Sequence, residues 1–299
     1  MSDKATSQTI SVVGTSGSGK TATIEYLTSN LTRLGFRVGV VKHIHHGGFT
    51  IDTEGKDTWK HARAGAKIVI ASSPDELAVI KKMPHEAKFE EISRVLHSEN
   101  LDVVFLEGFS KATAQRGGVY KIVAAKDVRD LKHTLAKTHA PILAITGPVT
   151  EKQSIPNSHT PLLNIQKEGP VITSILRRLL RPHEIERQFT RAARRHGSRC
   201  IGLAIGVRAT HLASSTFGAN PSPDMISCGT EYCIAEAFRM IYPRSRVREH
   251  ENPKDQVLVR SRRGLLVIQL AGKKEFSSVR QVLKAPDEVL FDSVSFTPR

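Results

Sequence analysis

Cysteine is scarce in this 299-residue chain: the three present, Cys200, Cys228 and Cys233, are odd in number and confined to its second half. A disulfide framework is therefore excluded, and the thiols remain reduced groups, metal ligands or plain core residues. No apolar run approaches the roughly 20 residues of a membrane-spanning helix, and residues 1–6 lack the apolar core of a signal peptide. A cytoplasmic protein without a membrane partner is expected. Aromatic residues amount to 5%, with one tryptophan. The stacking surfaces and recognition helices of nucleic-acid binders are missing, so no specific nucleic acid is expected. Acidic residues are also short: 29 Asp and Glu face 44 Lys and Arg, for a formal charge of +15. Such a balance suits a polyanionic partner, whether a nucleotide, a phosphorylated cofactor or an acidic protein, and charge alone does not choose among them.

What is present is concentrated near the N-terminus. Gly14, Thr15, Ser16, Gly17, Ser18, Gly19, Lys20 and Thr21 follow a short apolar run and precede a helix-like segment over 22–34. This is a complete Walker A phosphate loop in its required context. The glycines let successive backbone N–H groups fold around a polyphosphate, Lys20 reaches the terminal phosphates and Thr21 offers a hydroxyl to Mg²⁺. A carboxylate at the end of a neighbouring strand usually completes such a site. Glu107, after four apolar residues and before Gly108, is placed for it, whereas Asp102 at the other end of that run reads as a cap or turn.

Short β-branched runs at 38–41, 67–71, 78–80, 103–106, 119–124 and 142–145 alternate with helix-like stretches at 22–34, 86–99 and 170–180. The alternation predicts an α/β domain over 1–180 with a mixed, mainly parallel sheet and flanking helices. Pro182 should stop the last helix. A second helix over 184–195 and a hairpin around 260–264 then open a smaller α+β domain over 184–299. Two domains suit the length at roughly 150 residues each.

After the 38–41 strand come Lys42, His43, His45 and His46 with two glycines, a loop suited to metal, to phosphate or base contact, or to plain solvation. Next, Asp52, Lys56, Asp57 and Arg63 form a charge group costly to assemble without ligands, and Trp59 reads as core.

GTSGSGKT, VVKHIHH, IDTEGKDTWKHARAGA, DVVFLEGFSK and YKI occur in that order across about residues 10–180, and together they resemble the MobB family. That resemblance implies a dimeric P-loop protein that binds GTP with Mg²⁺ and is at most a weak GTPase. It would assist a MobA-like nucleotidyltransferase in attaching GMP to molybdopterin, and would serve the molybdenum or tungsten cofactor and its client enzyme. It places Gly14 to Thr21 on the phosphates and Glu107 at the magnesium, with Lys42, His43, Asp52 and Asp57 in the nucleotide-sensing stretches. Tyr120 departs from the family's usual proline. Guanine selectivity is not written in the residues, since no Asn/Thr-Lys-x-Asp motif occurs.

In the second half, HGSRCIG at 196–202 and CIAEAFR at 233–239 resemble the FmdE family of formylmethanofuran dehydrogenase proteins. The spacing alone admits buried thiols or a soft-metal site. The resemblance implies a zinc-type site using His196, Cys200 and Cys233. Ser198 stands where a second histidine is usual, and Arg199 and Arg239 should repel a cation, so a site converted to anion or partner binding is expected. The competing class is a P-loop kinase acting on a small metabolite; it needs an arginine-bearing lid, for which Arg116 is the one candidate.

Overall fold

Residues 8–13 are rich in β-branched side chains (Thr9, Ile10, Val12 and Val13), and they form β1 (Gln8–Val13), whose last four residues are buried. A computed structural model describes residues 7–44, 46–152, 160–217, 223–229, 233–249, 255–271 and 276–298. His45 and residues 153–159 of the expected 147–158 loop lie outside the described residues.

After β1 come α1 (Lys20–Arg33), β2 (Val38–Lys42), α2 (Asp57–Arg63), β3 (Ile68–Ser72), β4 (Leu77–Lys81), α3 (Phe89–Ser98) and β5 (Val103–Glu107). They continue as α4 (Ser110–Thr113), β6 (Tyr120–Ala124), α5 (Val128–Leu135), β7 (Ile142–Thr146) and α6 (Val149–Lys152). Five strands form a wholly parallel sheet in the order β2-β5-β1-β6-β7, and β3 and β4 pair separately as an antiparallel hairpin. This is an α/β P-loop fold. β5 is buried along its whole length, as expected of a strand covered on both faces. The hairpin contrasts with it: Ile68, Ile70, Leu77 and Val79 are 51–66% exposed.

The chain divides into two compact units at Arg177/Arg178. The division falls inside one helix, α7 (Ile165–His196), which continues past Pro182. The expected stop at this proline, and the separate helix over 184–195, are therefore wrong. Pro182 costs about 3 kcal/mol in a helix interior, but its ring lies on the exposed side. Fully buried Ile172, Leu176 and Leu180 precede it, and Ile185 and Phe189 follow it. Each such side chain contributes about 1.5–3 kcal/mol on burial, so packing outweighs the broken hydrogen bond.

The second unit continues with α8 (Ile201–Phe217), β8 (Met225–Cys228), α9 (Ile234–Ile241), β9 (Arg246–Glu249), β10 (Gln256–Ser261) and β11 (Gly264–Leu270). It closes with α10 (Val279–Lys284), α11 (Asp287–Leu290) and β12 (Phe291–Pro298). Its sheet runs β12-β11-β10-β8-β9, antiparallel except for the β8/β9 pair. The apolar core joins Phe189 of α7 to Leu203, Val207 and Phe217 of α8, Phe238 of α9 and the inner faces of β8, β10 and β11. Buried among these elements, Arg208 donates to Val282 O (3.1 Å) and Leu283 O (3.0 Å) at the end of α10 and to Asp287 (2.5 Å), which Arg181 also reaches (2.7 Å).

Candidate functional site

The parallel register decides what stands beside the phosphate loop. β5 lies between β1 and β2, so Glu107 pairs across with Val12 on one side and Lys42 on the other. Its carboxylate is 8% exposed and accepts a hydrogen bond from Thr21 Oγ1 at 2.7 Å. Lys42 Nζ stands 3.5 Å from the same oxygen. A hydroxyl and a carboxylate held together are hard oxygen donors, the set that Mg²⁺ takes.

The loop from Gly14 to Gly19 turns on left-handed glycines, with φ of 73° at Gly17 and 90° at Gly19. α1 then opens at Lys20, so its free N–H groups face the loop interior. Lys20 Nζ donates to Thr15 O at 2.5 Å, and Ser18 Oγ donates to the same carbonyl at 2.9 Å. Burial lowers the Lys20 pKa below its usual value, with Glu107 and Asp130 pulling it back up.

Two supports of this loop were not legible in the motif. Asp130, on α5, accepts from Thr15 Oγ1 and from the Lys126 backbone N–H, both at 3.0 Å. Gly147, just after β7, has φ of 95°, and a Cβ there would fall 2.4 Å from Ser18 O and 2.7 Å from Ala125 O. Only a residue without a side chain lets β7's end lie against the loop. Neither residue sits near residues 14–21 in the sequence; Asp130 could have been suspected only as the third residue after Asp127, which caps α5 by accepting from Asp130 N.

The other expected residues divide. His43 lies against the Phe109 ring, with centroids 5.1 Å apart, and its Nε2 contacts Glu86. Glu86 is thus outside α3, which starts at Phe89, and not part of a helix over 86–99. Asp52 and Asp57 make local contacts: Asp52 accepts from Thr53 N (2.9 Å) and Thr58 Oγ1 (2.9 Å), and Asp57 meets Lys60 (3.2 Å). Asp52 and Asp57 are thus engaged locally, apart from the buried Asp52 Oδ2, which has no hydrogen-bond partner among the described residues. Trp59 is partly buried under the Arg63 guanidinium (5.4 Å) and is not among the buried core residues. Arg116 pairs with Glu90 (2.7 Å) and covers Phe89 (4.9 Å), away from any lid role.

In the second unit three helix ends converge. His196 closes α7, Cys200 precedes α8 and Cys233 is the N-cap of α9; their donor atoms all lie within 4.8 Å of one another. Cys200 Sγ is 3.6 Å from His196 Nε2 and accepts from the Leu203 N–H at 3.3 Å. Burial and the neighbouring Cys200 push the Cys233 thiol up. Cys228 is apart from this cluster, buried, and raised to about 11 chiefly by that burial. One nitrogen and two sulfurs fit a zinc-type ion. The arginines expected to repel a cation are paired with carboxylates: Arg199 with Glu186 (3.3 Å), lying also over Phe189, and Arg239 with Glu236 (2.8 Å) and Glu249.

A family model described as molybdopterin guanine dinucleotide synthesis protein B matches residues 9–146. The probable molybdopterin-guanine dinucleotide biosynthesis adapter protein of Bacillus subtilis is 31% identical over 156 residues, covering 50% of this chain and 84% of that protein. The adapter protein of Haemophilus influenzae is 33% identical over 102 residues, covering 34% of this chain and 57% of that protein. The chain thus spans little more than half the length of the Haemophilus influenzae and Escherichia coli relatives it matches. The crystal structure of Bacillus subtilis MobB aligns over 56% of this chain and 95% of that one, at 25% identity and a TM-score of 0.46. With the phosphate loop in place and the Bacillus subtilis relative matched over most of its length, the chain belongs to the MobB family of molybdopterin-guanine dinucleotide biosynthesis adapter proteins.

Proposed function

We propose that this chain is a GTP-binding adapter of molybdenum or tungsten cofactor biosynthesis. It assists a MobA-like nucleotidyltransferase in joining GMP to molybdopterin and passes the product toward a client enzyme. The observation that carries this reading is the Thr21–Glu107 contact beneath a phosphate loop in a MobB chain. In the bound state the loop amides and Lys20 hold the triphosphate, and Thr21 and Glu107 hold Mg²⁺, which neutralises phosphate charge. Lys42 and His43, both next to the end of β5, are the residues through which occupancy reaches the surface. Among the described residues no arginine finger or water-positioning glutamine stands at the loop, so hydrolysis is slow and nucleotide-dependent shape is the output.

The exposed apolar row on β3 and β4 supports a homodimer, because a monomer gains nothing from leaving such a face wet. The second unit is an FmdE-like module whose His196, Cys200 and Cys233 hold a zinc-type ion. A kinase reading is disfavoured by the engagement of Arg116 with Glu90.

The test is equilibrium binding of fluorescent GTP and ATP analogues with Mg²⁺ to the full chain and to Lys20→Ala, with zinc content and sedimentation measured on the same sample. GTP-selective binding lost in the variant is expected. Preference for ATP, with phosphate passed to a metabolite, would sink the adapter reading.

A further inference from the structure

Two sets of arginines in the second unit differ in their surroundings. Arg181, Arg199, Arg208 and Arg239 are each matched to a carboxylate. Arg244, Arg246, Arg248 and Arg260 are not in any ion pair among the described residues, and they line one basin of about 820 Å³. The sheet register explains their convergence. Met225 of β8 pairs with Arg246 of β9 on one side and with Arg260 of β10 on the other. All three therefore share a face. Arg248 joins them, because residues two apart on a strand point the same way. That face is the one opposite the core, since Ile226, Val257 and Val259 between them are fully buried.

Adjacent strands are about 4.8 Å apart and two residues span about 6.6 Å. Three guanidinium groups thus rise from points well within reach of a single small anion, with Arg244 at the rim. Two ordinary explanations fail. Charged residues often guard an edge strand, and β9 is an edge, but Arg260 sits two strands inward. Nor do these residues support the fold, because exposed like charges this close repel mildly and pair with nothing.

We infer that this basin is a second ligand site, separate from the phosphate loop, for a diphosphate or phosphate ester that carries a planar ring. Guanidinium groups bind phosphate oxygens bidentately, and four of them face a single carboxylate, Asp224. Met225 and Ile241 give the basin an apolar wall for a ring, and Asp224 is an acceptor for ring N–H groups. The volume suits a nucleotide-sized ligand and exceeds what inorganic phosphate needs. This inference does not rest on the adapter reading, because no residue of the phosphate loop takes part.

The experiment titrates FAD, a diphosphate between two ring systems, into the full chain with the phosphate loop saturated by GTP and Mg²⁺, following flavin anisotropy; inorganic pyrophosphate is the competitor. One saturable site is expected, displaced by pyrophosphate. Affinity should fall at least about ten-fold in Arg246→Gln/Arg248→Gln and in Arg260→Gln, and hold in Arg262→Gln, which removes an equal charge from the exposed β10–β11 turn. Circular dichroism verifies that each variant is folded, and the two independent variants guard against one that is not. The inference is overturned if neither FAD nor pyrophosphate binds saturably, or if Arg262→Gln loses as much as the others. It is equally overturned if Lys20→Ala abolishes the binding, or if a glutamate peptide displaces FAD more readily than pyrophosphate does.

Discussion

Replacing Gly147 by alanine should damage nucleotide binding although the residue lies outside the Walker A sequence. Its φ of 95° is unfavourable for any residue with a Cβ, which alone costs about 1–2 kcal/mol. The added methyl would sit 2.4 Å from Ser18 O, 2.7 Å from Ala125 O and 3.0 Å from Ala125 N. All three are backbone atoms, so no side chain can swing aside. Restoring an ordinary contact of about 3.5 Å requires Ser18 to retreat by roughly 1 Å. Displacements of that size move donors out of the narrow range over which they meet phosphate oxygens, and a misplacement of about 1 Å costs on the order of 10²-fold. The assay is titration of a fluorescent GTP analogue, with thermal unfolding measured in parallel. Gly118→Ala is the control, because a Cβ there meets nothing within 4 Å. The expected result is a loss of about two orders of magnitude in affinity for Gly147→Ala, a modest fall in thermal stability, and neither in the control. An affinity for Gly147→Ala equal to that of the wild type would refute the argument that this glycine sets the position of the loop.

Glu107→Gln keeps an acceptor for Thr21 but removes the charge, so Mg²⁺ should no longer strengthen GTP binding while binding in EDTA stays near wild type; a retained magnesium effect would reassign the ion to other residues. Arg208→Met should destabilise the fold by about 3–5 kcal/mol in urea titrations, because Asp287 loses its most buried partner and the end of α10 loses two donors. Burial alone would raise the Asp287 pKa, but the hydrogen bonds from Arg208 and Arg181 outweigh it and hold the carboxyl below the usual range. A depressed native pKa stabilises the fold above the unfolded-state value, and that contribution disappears as pH falls through the native one. Wild type should therefore lose stability on acidification in this window, and Asp287→Asn should show a flatter acid limb; parallel curves would contradict this.

The phosphate loop and the strands that flank it were legible because their signals are local: a fixed spacing after one apolar run, and a carboxylate at the end of another. The contacts that brace the loop were not, because Asp130 and Gly147 reach it from 115 and 129 positions away, as counted from Thr15 and Ser18, and only the tertiary fold brings them in. Pro182 misled for the opposite reason. Its local preference is strong, but it lies on an exposed face between two buried stretches whose packing outweighs it. Arg199 and Arg239 could be placed near the His196 cluster from sequence, yet their charges are engaged by Glu186, Glu236 and Glu249, whose positions no spacing rule supplies. The basin formed by Arg246, Arg248 and Arg260 depends on strand register across β9, β8 and β10 and has no linear signature.

β1 is the middle strand of its sheet, hydrogen-bonded to β5 and β6, which follow it by about a hundred residues. During synthesis the phosphate loop therefore leaves the ribosome well before the elements that complete it. Its carboxylate partner arrives with β5, its Asp130 tie with α5, and the Gly147 floor only after β7. Until then the loop is a flexible, glycine-rich segment without a scaffold, and nascent chains shorter than this have no site for nucleotide to stabilise. Ligand binding can thus stabilise this unit only after β7 has been placed, so GTP would slow the unfolding of the finished unit without hastening its early assembly.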